Sequence, residues 1–286
     1  MNVLSLFDGM SCGQIALERA GILVTNYYAS EIKPHAIKVT KHNYPDTIHL
    51  GDVTKINLDE LDHIDLLIGG SPCQDLSRGN KERDGLEGVK SMLFYRYIEI
   101  YKYLQNKNPK LKFLFENVIM PKEDQSIINE IFNHYPVRIN SKLVSPQLRD
   151  RLYWTNIGEC YPDLFGQNIT NIKDPKDKNI KIADILTSGF TDREKSRALL
   201  ESDSRRLTTP HRMWHRYNSI GFTTLVFDSE SLNWEDGIRY FNQTELEACQ
   251  TVPDGYTNIL TRDQAACLLG DGWTVDVIAH IFKGLL

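Results

Sequence analysis

Ser71-Pro72-Cys73-Gln74 follows an apolar run, residues 64–68, that closes on Gly69-Gly70. The run reads as a buried strand, the glycines as a sharp turn, and the proline as a stiff support just ahead of a thiol. Further on, Phe113-Leu114-Phe115 leads into Glu116-Asn117-Val118. If both runs are strands of one parallel sheet, their ends present a cysteine and a carboxylate together, at the edge where open α/β folds bind ligands. That pairing suits covalent catalysis on an electrophilic ring, with the thiolate as nucleophile. A free thiol titrates at about 8.5, so a helix start or a nearby cation is needed to raise the thiolate fraction. Residues 77–88 contain Gly79, Gly85 and Gly88 and six charged side chains, the composition of a polar lid beside the thiol.

Two arginines follow in Gln147-Leu148-Arg149-Asp150-Arg151. If they lead into a strand, the period of two puts Arg149 and Arg151 on one face. A guanidinium pair there can hold a carbonyl oxygen and a carboxylate, or a phosphate.

The opposite end of the sheet carries a different set. Phe7-Asp8-Gly9-Met10-Ser11-Cys12-Gly13 lies between a first strand and a helix, and its glycines let a ligand approach the backbone. Glu31, in Ala29-Ser30-Glu31, ends a second strand, where a carboxylate can accept both hydroxyls of a ribose. Asp52, in Gly51-Asp52-Val53, follows a third strand and could accept from an adenine amino group. The three strand ends together suit an adenosine ligand without requiring a pyrophosphate.

These placements rest on alternating elements. Strands are expected at 3–6, 24–30, near 48, 64–68, 113–115, 137–144 and 152–157, with helices at 13–20, 32–42, 92–104 and 127–132. The alternation predicts an α/β fold, a doubly wound and mainly parallel sheet with helices on both faces. Residues 158–205 break the rhythm with Gly166, Pro175, a run of Asn, Asp and Lys, and a polar, helix-like stretch around 193–200. Regular structure is expected again near 225–227, followed by helices at 242–250, 262–269 and 275–282.

Composition narrows the class. The chain has 286 residues, 41% hydrophobic and 25% charged, enough for one large domain and a small one. No uninterrupted apolar run approaches the roughly 20 residues of a membrane span, and no signal peptide is expected. Five scattered cysteines without CxxC spacing point to free thiols in a reducing, cytoplasmic setting, with no metal site. The net charge of −5 excludes a generally basic coat, yet residues 142–216 carry 14 Lys and Arg against 10 Asp and Glu. Such a segment can serve as a local phosphate-binding surface.

Seven motifs, in order, resemble the cytosine-C5 DNA methyltransferases: LFDGMSCG (6–13), ASE (29–31), GD (51–52), GGSPCQDLS (69–77), FENV (115–118), QLRDR (147–151) and LLGDGWTVDVIAHIF (268–282). The spelling is especially similar to the catalytic domain of the vertebrate de novo enzymes. The resemblance implies a Rossmann-like fold dependent on S-adenosylmethionine, with S-adenosylhomocysteine as product and double-stranded DNA as partner. It assigns cofactor contacts to Phe7, Asp8, Gly9, Ser11, Gly13, Glu31, Ile32, Asp52, Val53, Ser71, Pro72 and Trp273. It makes Cys73 the nucleophile, Glu116 the carboxylate on the base, and Arg149 and Arg151 the base-edge and active-site supports, with Asn117 shaping the pocket. DNA contacts fall to Ser77, Arg78, Arg205, Arg206, Thr208, Thr209 and Arg212.

The implied organisation is a catalytic and cofactor-binding domain over 1–156, a short target-recognition region over 157–210, and a return to the catalytic domain over 211–286. Two departures stand out. A bulky apolar position of the de novo enzymes' catalytic loop is Gly79 here, and their guanine-reading arginine falls near Pro210, so no CpG preference is implied. A compact chain of this kind suits a bacterial or phage enzyme, with a restriction endonuclease as companion or as a solitary methylase. Methylation of transfer RNA, and a non-catalytic DNA-binding role on the same fold, remain the alternative readings.

Overall fold

The computed structural model describes residues 1–71, 91–219 and 224–286. Its frame is a seven-stranded sheet. In chain order the first elements are β1 (Asn2–Leu6), α1 (Cys12–Ala20), β2 (Asn26–Ser30), α2 (Pro34–Asn43), β3 (Ile48–His49), β4 (Leu66–Gly69), α3 (Ser91–Lys107), β5 (Lys112–Val118), α4 (Lys122–Phe132), β6 (Val137–Asn140), β7 (Gln147–Leu148) and β8 (Asp150–Thr155). The sheet runs β3-β2-β1-β4-β5-β8-β6. β1 through β5 pair in parallel, and β8 inserts antiparallel between β5 and β6.

Alternation along the strands explains why both faces are covered. Val3, Leu66, Ile68 and Leu114 point to one side, where they pack with Ile15, Ala16 and Leu17 of α1. Leu4, Leu6, Leu67, Phe113 and Phe115 point to the other, where they meet Phe94, Tyr97, Ile98, Tyr101 and Leu104 of α3. That α3 stripe recurs every three or four residues, the spacing of one helix face. The doubly wound expectation is met.

The later elements are β9 (Cys160–Pro162), β10 (Asn168–Thr170), β11 (Ser196–Arg197), α5 (Pro210–Ser219), β12 (Val226–Phe227), β13 (Ile238–Arg239), α6 (Gln243–Gln250), α7 (Arg262–Asp271) and α8 (Val275–Phe282). Two expectations change here. The strand expected over 137–144 stops at Asn140, whose side chain accepts from Lys142 N and starts a 3-10 turn. The stretch 193–200 is not helical, because Ser196 and Arg197 pair in parallel with Gln147 and Leu148, a partner far away in sequence. Met213 and Tyr217 of α5 cluster with Leu225, Phe227 and Ile238, while Val226, Phe241, Leu246 and Cys249 pack into the main core.

The segment Arg262–Leu285 is long and apolar enough, by composition, to cross a membrane. The fold breaks it at Gly272 into α7 and α8, and 67% of its most apolar window is buried within the protein.

Candidate active site

Strand register builds the site. Leu6 pairs with Ser30 on one side and with Gly69 on the other, and Gly69 pairs with Phe115. The next residues along, Glu31, Phe7, Gly70 and Glu116, therefore form one row across β2, β1, β4 and β5 at the carboxyl edge. Three strand spacings separate Glu31 from Glu116, roughly 14 Å. The row has a loop-and-carboxylate end at β1–β2 and an acid end at β4–β5.

At the acid end, Glu116 is 9% exposed. Its Oε1 lies 2.9 Å from Arg151 Nε, and its Oε2 accepts from Trp273 Nε1 at 3.1 Å. Arg151 sits opposite Val118, two residues along from Glu116, so the two side chains meet across the β5–β8 diagonal. Gly70 makes room for them. A Cβ there would lie 2.8 Å from Glu116 Oε2 and 3.4 Å from Trp273 Nε1. Beside this group, Ser71 Oγ and Asn117 Nδ2 are buried without a hydrogen-bond partner among the described residues.

At the other end, the loop from Phe7 to Ser11 turns tightly, with positive φ at Phe7 (57°), Gly9 (60°) and Ser11 (61°). Glu31 clasps it, accepting from Gly9 N at 2.8 Å through Oε2 and from Ile32 N and Lys33 N through Oε1. A carboxylate has about four acceptor positions, so room remains for about one ligand hydroxyl. A Cβ on Gly9 would meet nothing within 4 Å, and Ile32 is 68% exposed, leaving an open backbone and a bare apolar surface side by side. Asp52 Oδ1 accepts from Thr54 N and Oγ1, and Val53 behind it is buried. Lys33 pairs with Asp271 at the end of α7, closing the rim between Glu31 and Trp273.

Asp8, Ser11 and Gly13 are engaged by the protein itself. The Asp8 carboxylate accepts from Tyr27 Oη at 2.7 Å and from Ser11 Oγ, and burial pushes its pKa up to about 6 against those bonds. Ser11 is fully buried. A Cβ on Gly13 would fall 2.5 Å from Ile68 Cδ1, so this glycine lets α1 lie close on β4. All three shape the loop from beneath.

Pro72, Cys73, Ser77, Arg78 and Gly79 lie outside the described residues. Of the other cysteines, Cys12 and Cys249 are buried, and burial pushes each thiol up to about 12, far from a thiolate. Burial also raises Cys267.

Arg149 was expected beside Arg151 on one strand face. It lies instead in the gap between β7 and β8, is 4% exposed, and donates to the carbonyls of Leu199, Gly270 and Gly272. Arg151 bonds Glu116 directly.

The basic residues gather elsewhere. Arg205, Arg206 and Thr208 line a cavity of about 850 Å³ with Tyr240, Arg262 and Asp263. Arg212 lines an adjoining groove of about 390 Å³ with His211, His215 and Arg216. Arg206 Nε lies 2.8 Å from an Asp263 oxygen. Thr209 is exposed at the start of α5.

A family profile, the C-5 cytosine-specific DNA methylases, matches residues 1–234. The chain belongs to that family. Among its relatives, the orphan methyltransferase M.SPRI of Bacillus phage SPR is 36% identical over 172 residues, covering 56% of this chain and 38% of that protein. The type II methyltransferase M.NlaIV of Neisseria lactamica is 32% identical over 199 residues, covering 62% and 45%. The match thus spans less than half the length of each. Over 99% of both chains, the fold is similar to that of a Spodoptera frugiperda DNMT2 mutant, with TM-score 0.64 and 20% identity. It is similar also to the Entamoeba histolytica methyltransferase EhMeth, with TM-score 0.65, 18% identity and coverage of 100% and 97%.

Some parts of the site carry no local signal in the sequence. Helix α5 carries only two buried side chains, too few for a clear apolar stripe. Tyr240, whose ring lies under the Arg262 guanidinium at 5.6 Å, sits in no motif. Gln250, Thr274 and Ser141 form a buried polar network behind Trp273, and nothing in their spacing announces it.

Proposed function

We propose that this chain is a DNA (cytosine-5)-methyltransferase that acts on a cytosine flipped out of a duplex, with Cys73 as nucleophile. The observation that carries this reading is Glu116, held by Arg151 and Trp273 in the same strand-end row as Glu31 and next to the strand that leads to Cys73. Carbon 5 of cytosine is a poor nucleophile. Addition of the Cys73 thiolate at carbon 6 breaks aromaticity and builds electron density at carbon 5. A proton shared between Glu116 and ring nitrogen 3 offsets the negative charge that develops on the ring, while the other carboxyl oxygen accepts from the exocyclic amine; after methyl transfer a base removes the carbon-5 proton and the Cys73 thiolate leaves. Arg151 holds that carboxylate in place.

The residues at the β1–β2 end fit S-adenosylmethionine. Glu31 retains an acceptor position for a ribose hydroxyl, Gly9 leaves its backbone open, Ile32 offers an apolar face, and Ser71 Oγ is a buried hydroxyl with no hydrogen-bond partner among the described residues. When bound, that cofactor supplies an electrophilic methyl group. Trp273 walls the space between it and Glu116.

A base in a duplex is covered on both ring faces, so extrusion costs a few kcal/mol of unstacking. Phosphate contacts from Arg205, Arg212 and the surface around the 850 Å³ cavity offset that cost. A restriction endonuclease of the same specificity is the protein partner this reading carries, and the cytoplasm is the place of action.

Bisulfite sequencing of DNA from cells expressing the full chain tests the reading, with transfer RNA assayed alongside. Methylated cytosines at a defined DNA sequence are expected. Cys73→Ser should abolish them while S-adenosylhomocysteine binding stays within about twofold, since the thiol acts on the base and not on the cofactor. Full activity in that variant, or modification of transfer RNA alone, would overturn the assignment.

A further inference from the structure

We infer that Arg149 is a positioning residue: it sets the turn that aims Trp273 at Glu116, and it ties that turn to the recognition segment. The inference rests on the functional reading above. Arg149 Nη2 donates to Gly272 O at 2.9 Å, and Nη1 lies 3.3 Å from Gly270 O and 3.4 Å from Leu199 O. Gly270 and Gly272 flank the end of α7, where the last carbonyls have no partner within the helix and the helix dipole favours a cation. A buried guanidinium needs such acceptors, and charge-assisted bonds to them are the strong ones. The residue after Gly272 is Trp273, which donates to Glu116.

A second side chain makes the same connection. Gln147 is fully buried. Its Oε1 accepts from Leu199 N at 3.2 Å, and its Nε2 donates to Gln250 Oε1 at 2.9 Å. Gln250 in turn donates to Leu269 O at 2.6 Å and accepts from Thr274 Oγ1 at 2.8 Å. Leu199 is therefore held at both its N–H and its carbonyl by side chains that also grip the Trp273 turn. Gly270 brings the two segments together, since a Cβ there would lie 2.5 Å from the Leu200 carbonyl carbon. The recognition segment and the wall of the cofactor crevice share one polar hub.

A residue that only touched the flipped base would leave cofactor binding to the free enzyme unchanged. Calorimetric titration of the full chain with S-adenosylhomocysteine, in the absence of DNA, separates the two roles. Arg149→Met should weaken binding about tenfold, and Arg149→Lys about threefold, because a lysine reaches fewer carbonyls. In a Trp273→Phe background the Arg149→Met loss should shrink to within about threefold, the non-additivity of residues that act in series. Melting temperatures of all five proteins show that the folded state is being compared. Affinity of Arg149→Met within about twofold of wild type, or an undiminished loss in the Trp273→Phe background, overturns the inference. Should Arg149→Met fail to fold, Arg149→Lys carries the same test, and unchanged affinity in it overturns the inference equally. A wild-type chain that binds no S-adenosylhomocysteine would sink the functional reading and this inference with it. Binding by wild type that the variants match would sink this inference alone.

Discussion

Glu116–Arg151 and Asp263–Arg206 are two carboxylate–guanidinium pairs of nearly equal length, 2.9 and 2.8 Å, placed near opposite ends of α7. That helix is about 15 Å long. The first pair is nearly buried, with 12% and 15% side-chain exposure, and the second is open, with 37% and 50%. Burial makes the first pair hard to break, because either partner alone would be left as an uncompensated charge. Solvent makes the second worth at most about 1 kcal/mol, so a phosphate can take Arg206 from Asp263 at little cost. One distance thus describes two situations: a locked carboxylate and an exchangeable cation.

Glu116→Gln strikes the locked pair, and methyl transfer should fall about 10²- to 10⁴-fold in a single-turnover assay, as the loss of a positioned acid implies. Activity within a few-fold of wild type would show that the buried pair is only structural. Gly70→Ala should displace the same carboxylate without altering its chemistry, because the new methyl group intrudes on Glu116 Oε2. A fall of up to about 10²-fold in kcat is expected, with DNA affinity retained.

The exchangeable side is tested by Arg205→Ala with Arg212→Ala. DNA affinity should drop by similar factors on all sequences, and the slope of log K against log salt should fall by about 2 if each arginine meets one phosphate. A changed methylation site with an unchanged slope would mean that these residues read bases instead.

The smallest effect concerns the cofactor loop. Burial holds Asp8 at about 6 in the folded state, against an ordinary value of 3.8. The folded protein therefore keeps this proton where the unfolded chain has lost it. The associated stability is fully present below about pH 4 and is lost as pH rises through about 6, a change of at most about 3 kcal/mol. Urea midpoints measured between pH 4 and pH 7 should vary less in Asp8→Asn than in wild type. Identical pH profiles would contradict the burial of this carboxyl.

Much of the site could be read from the chain before its folding was known. Glu116, Glu31 and Asp52 each close an apolar run, and a strand end is a local feature that composition marks. The loop from Phe7 to Gly13 was likewise legible, because its glycines answer to backbone conformation. Arg149 and Arg151, two positions apart, looked alike in sequence. Their fates diverged because the break between β7 and β8 falls at Arg149, and strand pairing depends on partners such as Ser196 and Arg197, which lie far along the chain.

By itself, then, the sequence determined the alternating α/β pattern and the residue types set at the strand ends, since periodicity and turn chemistry are short-range. Tertiary structure alone decided that Glu31, Phe7, Gly70 and Glu116 share one row, that Trp273 reaches Glu116 from the far end of the chain, and that Arg149 and Gln147 tie Leu199 to the turn before Trp273. Those facts depend on register, on closing helices and on buried polar contacts between distant segments, none of which leaves a local trace.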